Sequence, residues 1–167
     1  MIVNITLFLA TMAAVLAAGL FYSYAVSVNP GLGRLSDTVY LQSMQSINRA
    51  ILNPLFFLSF MGAVFLLPAS TWMHYGRNNI RFWWLLAASV MYVAGVFGVT
   101  VAGNVPLNNT LDALKLDGAS AEQLSGWRRQ FEKPWNMLNT VRTIASILTA
   151  MILAAMFIFT KDAQADQ

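Results

Sequence analysis

Four apolar stretches, each approaching the ~20 residues an α-helix needs to cross hydrocarbon, take up most of this sequence. Their limits predict membrane helices over residues 2–28, 54–67 with some preceding turns, 81–101 and 139–159. With 57% hydrophobic and only 10% charged residues, 167 residues cannot hide their apolar surface in a soluble core. Lipid is the expected solvent. The expected fold is all-α: a four-helix transmembrane bundle with short amphipathic helices in the two longer loops. One domain is expected over residues 1–160, followed by a disordered tail over 161–167. The first run lacks the basic leader and short apolar core of a signal peptide, so it is expected to persist in the mature protein.

Punctuation agrees with these spans. Asn29-Pro30-Gly31 is expected to stop the first helix, because proline lacks a backbone donor and disfavours helical geometry before it. Ser36 or Asp37 can cap an interfacial amphipathic helix running to about Ala50, and Asn53-Pro54 restarts the chain. The run from Asn104 to Asn109, with Pro106 inside it, is expected to break the chain after the third span. Asp117-Gly118 reads as a turn, Ser120 with Gln123 as a capping box, and Pro134 as the start of the fourth helix. Ala14 with Ala18, and Ala94, Gly98 and Ala102, recur every fourth position and predict close helix contacts. Trp72, Tyr75, Trp83 and Trp84 sit where aromatic rings anchor at headgroup level.

Several function classes fall away. Without cysteine there is no disulfide, thiolate ligand or thiol nucleophile. A net charge of +3 with no basic stripe gives nucleic acid nothing to hold. Haem, copper and non-haem iron sites need several His, Cys or carboxylate ligands, and the single histidine, His74, is expected at the opposite face from the polar loops. No metal site and no resident cofactor are therefore expected. An even number of spans puts the two longer loops on one side, with Arg34, Arg49, Lys115, Arg128, Arg129 and Lys133, against Arg77, Arg81 and Lys161 on the other. The positive-inside rule then makes the longer loops cytoplasmic in a multi-pass protein of a bacterial cytoplasmic membrane.

The residues that point to chemistry are polar ones at membrane depth. Asn139 and Arg142 lie three apart on one helix face, and Arg142 falls about a turn inside an apolar span. An arginine at the centre of a span costs at least ~2.5 kcal/mol, less near the interface, so something must satisfy it. Gln42, Gln45 and Arg49 share a face of the amphipathic helix, with Asn48 beside them and Asn53 a turn on. Asn104, Asn108 and Asn109 follow the third span. Taken singly, Arg142 can snorkel to headgroups and the asparagines can cap helix ends. Taken together, they can converge on one polar pocket under the loops, walled by Tyr22, Tyr24, Trp127 and Trp135. The halves of the chain also echo each other, with Asn48-Arg49 in one and Asn139 with Arg142 in the other, as in a parallel repeat.

Four segments carry a resemblance: Asn29-Pro30; Met44 to Ala50 with Asn53-Pro54; Gly95 to Thr100 leading into Gly103-Asn104-Val105-Pro106-Leu107-Asn108; and Trp135 through Asn139 to Arg142. From about Gly19 to Ala155 the sequence resembles the anthrone oxygenase-like integral membrane proteins. The resemblance implies that Asn104, Asn108, Asn139 and Arg142, with Asn48 and Arg49, match positions of a shared site. Asn136 lies close by, and Asn139 is selected by its spacing to Arg142.

On that basis Arg142, Asn139, Asn104 and Asn108 are the expected catalytic residues. Asn48, Arg49, Gln45, Asn53, Tyr24, Trp127 and Trp135 are the expected substrate-binding set. The implied function is a cofactor-independent oxygenase for an anthrone-like or phenolic amphipathic substrate entering from lipid, with molecular oxygen as co-substrate. Guanidinium and amide donors suit an oxyanion in a dry pocket. Asp37 and Asp112 are candidate bases by nearness alone. The alternative is a non-enzymatic module: a lipid or quinone binder, an accessory subunit, or a small transporter, for which four spans would suffice as a homo-oligomer.

Overall fold

A computed structural model describes residues 1–76 and 79–160. Arg77 and the tail over 161–167, expected to be disordered, lie outside the described residues. Four helices are long and apolar enough to cross a membrane: α1 (Ile2–Leu32), α3 (Pro54–His74), α4 (Ile80–Asp112) and α5 (Ala121–Phe159). A shorter helix, α2 (Asp37–Ala50), joins α1 to α3. No strand occurs among the described residues. The chain is an integral membrane protein with an all-α bundle, as its apolar runs predict.

All four spans are longer than the sequence suggests, and each has a proline in its interior: Pro30 and Pro106, expected to end helices, Pro134, expected to start one, and Pro68, just past the expected end at residue 67 of a helix that runs on to His74. Pro30 and Pro106 each follow a π-helical turn, Tyr24–Val28 and Thr100–Asn104 respectively. A proline ring in a regular helix collides with the carbonyl four residues back. Here those carbonyls belong to Val26 and Ala102, at the centres of the two widened turns. Hydrogen bonds then run from Asn29 N–H to the Tyr24 carbonyl and from Val105 N–H to the Thr100 carbonyl. The helix therefore survives the proline, and no backbone break is left in a lipid environment that could not solvate it. A third π turn covers Val93–Gly98. Pro134 likewise lies inside α5, which begins thirteen residues earlier at Ala121 behind the expected Ser120–Gln123 capping box.

Around the bundle, α1 packs on α3 and α5, and α4 packs on the same two. Ala10, Ala13, Ala14, Ala17 and Ala18 bury one stripe of α1, with Gly62 of α3 against Ala13. The stripe expected on α4 is displaced: Ala94 and Ala102 are exposed, and the close contacts are made by Gly95 and Gly103. A β-carbon at Gly95 would lie 2.7 Å from that of Ala145, and one at Gly103 2.7 Å from Leu138 Cδ1. Gly95 and Gly103 each lie within one of the π turns, Val93–Gly98 and Thr100–Asn104.

Both longer loops fold onto the N-terminal half of α5 and make a cap with its own apolar cluster. Tyr40, Leu41 and Met44 of α2 meet Leu111, Leu124, Phe131 and Trp135. Arg128 fastens this cap. It donates to the carbonyls of Gly33 (2.9 Å) and Leu35 (2.7 Å), pairs with Asp37 (2.9 Å) and Glu132 (2.7 Å), and lies 4.5 Å from the Tyr40 ring centre. Asp37 is thus held by an arginine, and Ser36 takes the N-cap position of α2 without a side-chain bond. Burial, reinforced by the Glu132 carboxylate and opposed by Arg128, pushes the Tyr40 phenol well above its usual range.

Candidate functional site

Where the cap meets the bundle, the chain encloses a cavity of about 230 Å³. Its polar wall begins with Arg142, which α5 carries to the inner face one turn beyond Asn139; both are almost fully buried. Arg142 Nη2 donates to Asn139 Oδ1 (2.9 Å), and Nη1 donates to Thr100 Oγ1 (3.3 Å) in the π turn of α4. Thr100 passes its own hydrogen to the Val96 carbonyl (2.7 Å). The guanidinium carbon lies 4.6 Å from the Phe21 ring centre and 5.5 Å from that of Trp135. These contacts orient the charge without neutralising it: none of the lining residues is a carboxylate, and no ion pair among the described residues includes Arg142.

Donor capacity is left over. Arg142 Nε, Asn139 Nδ2, Asn48 Nδ2 and both amide atoms of Asn104 are buried with no partner in the chain. Each unsatisfied buried group of this kind costs about 1–3 kcal/mol, and natural proteins retain such groups where something else is to be bound. Four of these are donors on residues that line the cavity, suited to an anion or a carbonyl oxygen, and Asn104 Oδ1 is an acceptor beside them. Much of the remaining lining is aromatic: Phe60 stacks on Phe56 (5.1 Å between centroids) and packs against Phe97 (6.1 Å), and Tyr24 leans on Trp135 (6.0 Å). Rim residues Leu52, Phe57, Val101 and Val105 are exposed on the membrane-facing surface.

Of the residues singled out in the sequence, Asn48, Asn104, Asn108, Asn139, Arg142, Tyr24 and Trp135 come together around this cavity. Asn108 serves its wall in a particular way, accepting a hydrogen bond from Trp135 Nε1 (2.8 Å) and so fixing the indole. The others lie elsewhere. Arg49 pairs with Asp112 (2.6 Å) at the cap surface, which also occupies one of the two candidate bases. Gln45 Nε2 donates to the carbonyls of Leu111 and Leu114, closing the end of α4. Asn53 caps α3 by accepting from Phe56 N–H (3.1 Å). Trp127 packs in the cap cluster, and Tyr22 is exposed. His74, at the other end of α3, is buried with Nδ1 at 2.8 Å from the Ser70 carbonyl.

Sequence reading missed Thr100 and the phenylalanines. Thr100 had a usable signal, a hydroxyl one turn before Asn104 in an apolar span; nothing distinguishes Phe21, Phe56, Phe60 and Phe97 among eleven phenylalanines. The halves of the chain do meet at one place, through Asn48 and Asn139, while Arg49 and Arg142 part company.

Compared with known proteins, residues 42–153 match the family model described as anthrone oxygenase. That span runs from α2 deep into α5 and carries every polar residue of the cavity wall named above. No curated protein and no solved structure matches the chain.

Proposed function

The chain belongs to the anthrone oxygenase family, and on that premise we propose that it oxygenates an anthrone-like or phenolic amphipathic substrate within the membrane, using molecular oxygen and no resident cofactor. One observation carries the reading: an unneutralised Arg142 and unpartnered asparagine amides face an aromatic-walled cavity of about 230 Å³. An anthrone bears a carbonyl across the ring from an acidic CH₂. Loss of a proton from that carbon moves charge onto the carbonyl oxygen, where donors held in a dry site act most strongly. Arg142 Nε and Asn139 Nδ2 are the donors we assign to that oxygen, with Asn104 beside them.

The resulting carbanion is electron-rich enough to reduce oxygen by one electron, and recombination of the pair forms a carbon–oxygen bond as a peroxide. Breakage of the O–O bond then leaves a carbonyl and water. The balance closes without an outside reductant: the CH₂ gives up both hydrogens, one oxygen atom becomes the new carbonyl, and the other leaves as water. Asn108, by fixing Trp135, holds the ring plane against which the substrate stacks. Asp37 and Asp112 are engaged in ion pairs away from the cavity, so in this proposal the acidity of the CH₂ comes chiefly from Arg142. We place the cap on the cytoplasmic side of a bacterial membrane, following its basic residues.

Purified protein in nanodiscs supplied with anthrone and oxygen is the direct test. Oxygen uptake with matching quinone formation, lost in Arg142→Gln while the protein remains folded, supports the proposal. Binding of anthrone without oxygen uptake overturns it in favour of a membrane binding module.

A further inference from the structure

Beside the polar cavity, on the outer surface of the bundle, a second space of about 680 Å³ runs between α1 and α3. The two spaces share Leu20, Ile51 and Phe56, three half-buried side chains that form the wall between them. From Leu20 the groove follows α1 to Leu9, about 16 Å at the helical rise of ~1.5 Å per residue. It therefore leads from the cap boundary towards the interior of the bilayer. Its floor is low because Ala13 meets Gly62 there.

What the groove offers a ligand differs sharply from what the cavity offers. Its two polar side chains are spent on their own helix: Ser59 Oγ donates to the Leu55 or Phe56 carbonyl, and Asn53 uses its amide on Ala50 and Phe56. Everything else along it is hydrocarbon or aromatic. A headgroup gains nothing there, whereas an alkyl or isoprenoid chain does. The adjoining cavity has the reverse character, with spare donors and ring faces but little depth.

We propose that cavity and groove are two halves of one site for a phenolic aromatic of the anthrone type bearing a long hydrocarbon tail, the ring lodged at Arg142 and the tail passing Leu20, Ile51 and Phe56 into the groove. This inference rests on the reading of the cavity as an oxygenase site and names its substrate class. The ring, and not a fatty-acid carboxylate, is the assigned head because Phe21, Phe60, Phe97 and Trp135 line its place.

Binding of para-cresol, para-dodecylphenol and laurate to the full-length protein in nanodiscs tests this, read by quenching of tryptophan fluorescence. Partition into lipid strengthens every long-tailed probe, so the comparison is between proteins. Leu16→Trp and Leu58→Trp fill the groove at exposed positions, and Ile144→Trp adds the same bulk to lipid-facing α5 outside it. The groove variants are expected to weaken dodecylphenol roughly tenfold or more, equivalent to losing burial of about two methylenes, and cresol by less than about twofold. Ile144→Trp is expected to change neither. Equal loss in all three variants, or none in any, overturns the groove. Laurate binding as tightly as dodecylphenol overturns the aromatic head. Groove dependence without oxygen uptake would leave this inference standing and remove the oxygenase; turnover of anthrone without groove dependence would do the reverse.

Discussion

Arg142 donates to the side-chain oxygen of Asn139 across one turn of α5, at 2.9 Å, and the bond leaves the Arg142 Nε and the Asn139 amide nitrogen without partners in the cavity. One intrahelical contact thus sets the tilt of a buried cation and the amide flip of its neighbour. A charge held this way is costly to the fold, since no carboxylate offsets its desolvation.

Replacing Arg142 by methionine should therefore separate stability from activity. Arg142→Met is expected to keep or raise the thermal midpoint in detergent, because an apolar chain of similar length suits the site better. Oxygen uptake with anthrone is expected to fall by about a hundredfold or more, the usual cost of removing an oxyanion donor. A collapse of the midpoint would instead mark Arg142 as part of the scaffold.

Trp135→Phe removes the indole donor and strands Asn108 Oδ1. The expected stability cost is about 1 kcal/mol, with kcat/KM down roughly tenfold through KM, because the ring is retained but no longer held in plane. Asn108→Asp should be milder than Asn108→Leu, since a carboxylate still accepts from the indole. Steady-state kinetics on the three variants check the order.

Close helix approach at Gly95 gives a packing prediction. Gly95→Ala places a β-carbon 2.7 Å from that of Ala145, where neither atom can rotate away, and is expected to destabilise by about 1–3 kcal/mol. Gly103→Ala meets the movable tip of Leu138 and should cost less. Pairing Gly95→Ala with Ala145→Gly should restore most of the loss in a detergent unfolding titration.

Orientation is open to a clean chemical test because the sequence contains no cysteine. Lys115→Cys, on the exposed surface of the cap, is expected to resist a membrane-impermeant maleimide in intact cells and to react once the membrane is permeabilised. Labelling in intact cells would put the cap outside.

Much of this architecture is legible in the residues. Apolar length gives the number of spans but not their ends, and the Ser120–Gln123 box marks a helix start, though the segment it opens runs unbroken into the fourth span. The cost of a buried guanidinium picks out Arg142 before any coordinates, and amide chemistry picks out Asn104 and Asn139. What sequence rules misjudge is proline. Asn29-Pro30 and Asn104 to Pro106 read as breaks because the rule assumes α geometry four residues upstream, and a π turn removes that assumption. The contact stripe, too, falls on Gly95 and Gly103 where Ala94 and Ala102 were expected. Gln45 and Arg49 share a stretch of chain with the site, but their orientation is decided by cap partners far away in sequence, Leu111 and Asp112, and Trp127 packs into the cap cluster instead of the cavity.

Those widened turns also set where the chain can accommodate a change of length. Tyr24 opens one of them and Asn104 closes another, both on the cavity wall. Deleting one residue from either turn would restore regular winding and bring the proline ring back against a carbonyl, while the segment beyond it keeps its face because the wide turn already holds the extra residue. Over most of a span, a missing residue turns every side chain beyond it by about 100°; at these two places the turn absorbs the loss and the cost falls on the proline.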